Sequence, residues 1–173
     1  MIRLPALLLI VTIVSSMQEM MQDYRLQLRA NSLYEKREYG KAERTFRQLL
    51  STLPEGRKKT STTYNLACAQ YMQGKFMDAS VMFAHKQATA GKSRDIELQS
   101  LFNEGNSLAM SAIGTPVKSR KTALFRNSLD RLKSVLLSNP NDGSTNALIN
   151  AYREFRLQGA ASASPQLSFF DKP

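Results

Sequence analysis

Ala30-Asn-Ser-Leu-Tyr34-Glu-Lys-Arg-Glu-Tyr39-Gly-Lys-Ala42-Glu-Arg-Thr-Phe46 is followed by a second stretch of similar layout: Ala67-Cys-Ala-Gln-Tyr71-Met-Gln-Gly74-Lys-Phe76-Met-Asp-Ala79-Ser-Val-Met-Phe83. A shift of 37 residues lays Ala30 on Ala67, Tyr39 on Phe76, Ala42 on Ala79 and Phe46 on Phe83. Four matches of residue size at one shift mark an internal repeat, the feature to look for before any other. The physical reading is a helix, a tight turn and an antiparallel helix. Small residues at Ala30/Ala42 and Ala67/Ala79 let paired helices approach where they cross. Tyr39 and Phe76 open the second helix of each pair and pack back on the first. Phe46 and Phe83 fill the space towards the next pair. Gly74 allows a turn, and Pro54, twelve residues after Ala42, ends a helix. Such a pair cannot bury both faces alone, so the units should stack.

A third, altered unit follows. Phe102-Asn-Glu-Gly105-Asn-Ser-Leu108 reads like Tyr64-Asn-Leu-Ala67-Cys-Ala-Gln70, with Gly105 in the place of the small residue. Its second helix should end at Asn139-Pro140, and Ser128 stands where the small crossing residue belongs. From Gly105 to Ser128 is 23 residues, about eleven more than the usual twelve. The expectation is that these form a loop over Gly114–Arg120. A last helix from about Ser144 to Gln158 would cap the array. The composition agrees: beyond residue 16 there are six Val or Ile, too few for a sheet protein.

The pattern resembles the tetratricopeptide repeat (TPR), whose period is 34 residues. The resemblance covers about Asp23–Gln158, with units at about Asp23–Gly56 and Thr60–Lys92. A polar loop, Glu55–Thr62, supplies the extra length between them. It implies an all-α TPR-like solenoid of three helix pairs and a capping helix. The phrases Tyr64-Asn-Leu-Ala67, Phe102–Leu108 and Asn139-Pro-Asn-Asp142 with Ala147-Leu-Ile-Asn150 are similar to exported TPR proteins of the bacterial Bat (aerotolerance) operons. That narrower resemblance implies a signal or anchor before the repeats, and von Willebrand A-domain membrane proteins as partners.

Ahead of the repeats, Arg3 precedes the uncharged apolar run Leu4–Val14 and then Ser15-Ser16. Eleven residues fall short of the roughly 20 that span a bilayer. A basic start, a short apolar core and small residues fit a secretory signal, and an uncleaved short anchor is the other reading. The expected organisation is therefore a leader or anchor over 1–22, a TPR-like domain over 23–158 and a flexible tail over 159–173. Export to the periplasm, or attachment to the inner membrane, follows from it.

Helical spacing from Ala30, Ala67 and Gly105 places the concave positions on the first helix of each pair. They are Tyr24, Gln27, Asn31 and Tyr34; then Tyr64, Asn65, Cys68 and Tyr71; then Gln99, Phe102, Asn103 and Asn106. An amide both donates and accepts, so asparagine here can hold a partner's backbone. It can also bond across neighbouring helices, and Tyr64, Tyr71 and Phe102 can serve as inter-helix packing. The carboxylate clamp of chaperone adaptors, by resemblance, has asparagines at Asn31 and Asn65. Its cations would fall at Gln27, Gln99 and Asn103, so capture of a terminal carboxylate is not expected.

The 24 Lys+Arg against 14 Asp+Glu give a net charge of +10. Two loop clusters, Arg57-Lys58-Lys59 and Lys118-Ser-Arg120-Lys121, are read as a basic rim for an anionic surface or an acidic partner. Nucleic acid is not expected, since no binding motif appears. One Cys and one His leave no parts for a disulfide framework, a cysteine-rich or histidine metal site, or a triad. Cys68 reads as an apolar filler and His85 as a solvent-facing residue late in its helix. Glu35/Glu38 and Asp95/Glu97 read as surface carboxylates outside any cleft. The expectation is a non-enzyme without cofactor or metal: an adaptor holding a protein partner in its groove. The alternative is a structural subunit that contacts larger membrane proteins through its convex face and basic rim.

Overall fold

The computed structural model describes residues 4–89 and 94–157. Among them are seven helices and no strand: α1 (Leu4–Glu35), α2 (Tyr39–Thr52), α3 (Arg57–Met72), α4 (Phe76–Thr89), α5 (Arg94–Ile113), α6 (Lys118–Ser138) and α7 (Gly143–Leu157). The tail expected over 159–173 lies outside the described residues, as do the side chains of Arg57, His85 and Phe155. The chain divides into two compact units, Met1–Lys75 and Phe76–Pro173.

The first unit holds α1, α2 and α3. Ala30 and Ala42 are both fully buried where α1 meets α2, and Leu26, Leu49 and Leu53 form an apolar cluster beside them. The Thr52 hydroxyl donates to Asp23 across the same pair at 2.7 Å. The two turns of this unit repeat two hydrogen bonds at the 37-residue shift. After α1, Glu38 N–H bonds the Leu33 carbonyl and Arg37 N–H bonds that of Tyr34. After α3, Lys75 N–H bonds the carbonyl of Gln70 and Gly74 N–H that of Tyr71. Both are Schellman endings, which need a left-handed residue just past the helix. Gly74 fills that place at φ 75° and Arg37 at φ 60°. Pro54 acts as expected: Leu53, before it, is extended and α2 stops at Thr52.

In the second unit α4 packs on α5, α5 on α6, and α7 against both. Its core gathers Leu108, Ala112, Leu124, Phe125, Leu132, Leu148 and Tyr152. Gly105 and Ser128 mark the α5–α6 crossing, where the Ser128 hydroxyl donates to the Gly105 carbonyl at 2.7 Å. A Cβ on Gly105 would lie 3.0 Å from Leu132 and 3.2 Å from the Ser128 carbonyl oxygen, tighter than nearly all real Cβ contacts, so glycine favours this approach. The Asp142 carboxylate accepts from Thr145 N–H at 2.7 Å and caps α7.

Two loop expectations need correction. The eleven extra residues of the third unit do not form a long loop. Three lengthen α5 beyond Gly105, one enters the turn and seven lengthen α6 ahead of Ser128. Growth of both helices, rather than of the turn, keeps backbone groups paired, which an eleven-residue loop would not do. For the same reason Glu55–Thr62 is a loop only up to Gly56, because α3 starts at Arg57. Arg57, Lys58, Lys59 and Lys118, Arg120, Lys121 are therefore first-turn helix residues.

Candidate functional site

A cavity of about 350 Å³ opens in the first unit, lined by Asn31, Tyr34 and Glu35 of α1, Phe46 of α2, and Tyr64, Asn65 and Cys68 of α3. Residues three and four apart on a helix share a face, and these two helices turn that face to the same space. Phe46 is almost fully buried. It sits among polar edges supplied by two asparagines, two tyrosines and one carboxylate. Tyr34 is set by an edge-on contact with Tyr39, ring centroids 5.2 Å apart, so the residue that opens α2 also fixes one wall. Gln27 steadies the other end: its amide donates to Asn31 Oδ1 at 3.0 Å and accepts from the Thr62 hydroxyl at 3.2 Å. Asn31 is thereby held through its side-chain oxygen.

Electrostatically the cavity is neutral except at its rim. Burial raises the Tyr34 phenol well above the ordinary tyrosine range, aided by the nearby Cys68, Tyr39 and Tyr64. Burial also pushes the Cys68 thiol up to about 12, against a hydrogen bond with Tyr64 that pulls it down. Cys68 is therefore a thiol at neutral pH and a poor nucleophile. Glu35 is exposed and contributes the one anion of the lining. The earlier reading of Glu35 as a carboxylate outside any cleft is thus corrected. Its partner in that reading, Glu38, is paired with Lys41.

Of the groove residues expected from spacing, Asn31, Tyr34, Tyr64, Asn65 and Cys68 share this cavity. Tyr24 stands exposed on α1 and Tyr71 is buried. The third set belongs to the second unit. Gln99 is exposed and Phe102 packs against the core cluster. Asn103 and Asn106 are buried, and Asn106 Oδ1 accepts from the Tyr152 hydroxyl of α7 at 2.6 Å. Asn106 therefore spends its carbonyl on a bond across helices, the alternative weighed for these asparagines.

Sequence reasoning did not single out two buried carboxylates that brace the units. Glu43 of α2 lies among Arg47, Gln70, Gln73 and Lys75, with Lys75 Nζ at 2.6 Å and the Gln73 amide at 2.9 Å. Burial pushes its carboxyl up, but hydrogen bonds from Lys75, Gln73 and Arg47 outweigh this and hold it at about 2. In the second unit Arg131 donates to Glu104 Oε1 at 2.8 Å, while the buried Oε2 has no partner. There burial dominates over Arg131 and raises the carboxyl. Arg47, four residues after Glu43, was the only local signal of the first network. The rest depends on chain distances that only the fold closes.

Lys58 is exposed and Lys59 bonds Glu55 at 2.6 Å, both at the start of α3. Lys118 and Arg120 are exposed at the start of α6. Neither helix has an acidic residue in its first turn or a side-chain cap. Among the described residues no group of His, Cys, Asp and Glu is placed to hold a metal ion, and no helix is long and apolar enough to cross a membrane. Compared with family models, curated proteins and solved structures, the chain matches none.

Proposed function

We propose that the chain is a non-catalytic, TPR-like adaptor that holds a protein partner in the α1–α3 cavity, within an exported or membrane-attached assembly. The observation that carries this reading is the cavity's make-up: the Phe46 ring and the Cys68 thiol share its lining with the amides of Asn31 and Asn65. Such a site takes one apolar side chain and bonds the backbone beside it. Glu35 at the rim favours a cation next to that side chain, not a terminal carboxylate. The 37-residue repeat, matched at both turns, supports the TPR-like assignment. The leader and the Bat resemblance point to the envelope and to von Willebrand A-domain membrane proteins as partners. A photoreactive residue placed at position 65 in native membranes, followed by mass spectrometry, tests this. The expected outcome is one reproducible protein adduct that disappears when the residue is moved to exposed position 81. Equal labelling from both positions would contradict the proposal.

A second reading has its own observation. Cations crowd the first turns of α3 and α6, where the helix dipole is positive and the turn itself holds no acid, Glu55 ahead of α3 pairing with Lys59. An arrangement unfavourable to each helix is consistent with a role in contact: a structural subunit whose basic edges meet an acidic protein or anionic headgroups.

A further inference from the structure

Among the described residues, α1 carries an exposed apolar stripe. Val14 (47 %), Met17 (54 %), Met21 (52 %), Tyr24 (61 %) and Leu28 (51 %) are about half exposed. They follow one another at spacings of three, four, three and four residues. That is the spacing of a coiled-coil seam. Val11, Ile13 and Met20, also about half exposed, flank it. The polar residues of the same stretch, Thr12, Ser15, Ser16, Gln18, Glu19, Gln22, Asp23, Arg25 and Gln27, are not members of the stripe, with Gln18 and Arg25 bordering it. The face that packs on α2 falls off the stripe: Leu26 lies about 160° around the helix from Leu28 at 3.6 residues per turn.

The helix runs without interruption from Leu4 to Glu35, and the stripe occupies Val14–Leu28 of it. Its last members, Tyr24 and Leu28, stand on the part of α1 that is packed in the first unit. Cutting after Ser16 would leave Met17, Met21, Tyr24 and Leu28 in place. A helix lying on an anionic membrane keeps Lys or Arg on its polar face. Between Arg3 and Arg25 this helix has no cation and bears Glu19 and Asp23. At this exposure the five stripe side chains leave roughly 500 Å² uncovered and, with the flanking Val11, Ile13 and Met20, roughly 800 Å², more than ordinary monomers expose in one patch and about what each partner gives to a stable dimer.

We propose that α1 is a self-association helix, in which the Val14–Met17–Met21–Tyr24–Leu28 stripe pairs with the same stripe of a second copy. The inference does not depend on the cavity or its ligand. The pairing is isologous, so one patch serves both partners and the assembly closes at two.

Sedimentation of the full chain in detergent-free buffer tests it. The wild type should run at twice 19.4 kDa. Met21→Lys with Leu28→Glu should run as a monomer of unchanged helicity, with its dissociation constant raised at least 100-fold. Val81→Glu, at an exposed apolar position outside α1, should remain a dimer. Should the charged variant lose helicity, Met21→Cys in a Cys68→Ser background, joined by a short bis-maleimide, gives the answer through a covalent dimer. A monomeric wild type, a dimer indifferent to the stripe, or no covalent dimer overturns the proposal. So does a monomer that floats with neutral phosphatidylcholine vesicles through the same residues, which would make the stripe a lipid contact.

Discussion

Among the described residues, Arg37 is the one non-glycine residue with a positive φ. It holds a left-handed conformation, φ 60°, in the place that Gly74 occupies in the second turn. That conformation costs an L-residue about 1–2 kcal/mol, of which glycine's extra unfolded-state entropy returns roughly half. Arg37→Gly should therefore stabilise the protein by about 0.5–1 kcal/mol, read as a higher denaturant midpoint at unchanged slope. Gly105 presents the opposite case. Alanine there gains helix propensity of about 1 kcal/mol, but its Cβ would crowd the Leu132 side chain and the Ser128 carbonyl oxygen, which must give by a few tenths of an ångström. Gly105→Ala should destabilise by about 1–2 kcal/mol net, measured by the same unfolding curve. The sequence made Gly105 and Ser128 readable as a crossing because small residues leave a spacing signature. It did not make Glu43 readable, because its partners Gln70, Gln73 and Lys75 are brought near only by the α2–α3 packing.

At the scale of the element, α3 and α6 begin with cations where anions belong. Lys58→Glu or Lys118→Glu should stabilise by about 0.3–1 kcal/mol at low salt, and the gain should fade as salt screens it. Thermal melts at two ionic strengths check this. If the second functional reading holds, the same variants weaken assembly while the domain itself grows more stable. The starts of these helices were hard to place from sequence. Polar, uncapped first turns look like loops, and eleven additional residues split between two helix ends leave no break in periodicity. Helix α1 posed the reverse difficulty. Its apolar leader and its repeat segment read as separate elements, yet no Gly or Pro from Ala6 to Glu35 interrupts the helix.

For the whole molecule, the two units should answer acid differently. The Glu43 carboxyl sits at about 2 in the folded chain against an ordinary 4.5. Its contribution, on the order of 3 kcal/mol, is fully present above pH ~4.5 and is lost as pH falls towards 2. The Glu104 carboxyl is raised by burial, so its charge opposes folding at neutral pH and protonation on acidification relieves that. Glu43→Gln should flatten the acid limb of the stability profile, whereas Glu104→Gln should leave that limb intact. Melting curves from pH 7 to pH 3 distinguish the two. The all-helical class and the first cavity were legible because both rest on periodicity within helices, and Asn31, Tyr34, Tyr64, Asn65 and Cys68 lie on faces that periodicity defines. The third set was not, since α7 reaches Asn106 through Tyr152 across 46 residues.

The central claim is that the α1–α3 cavity holds a partner through Asn31 and Asn65. Its most direct measurement is retention of the protein trapped through position 65 by Asn31→Ala/Asn65→Ala, set beside circular dichroism of the same variant. The account predicts at least a tenfold loss of that protein with helicity unchanged. Full retention at unchanged helicity would contradict it.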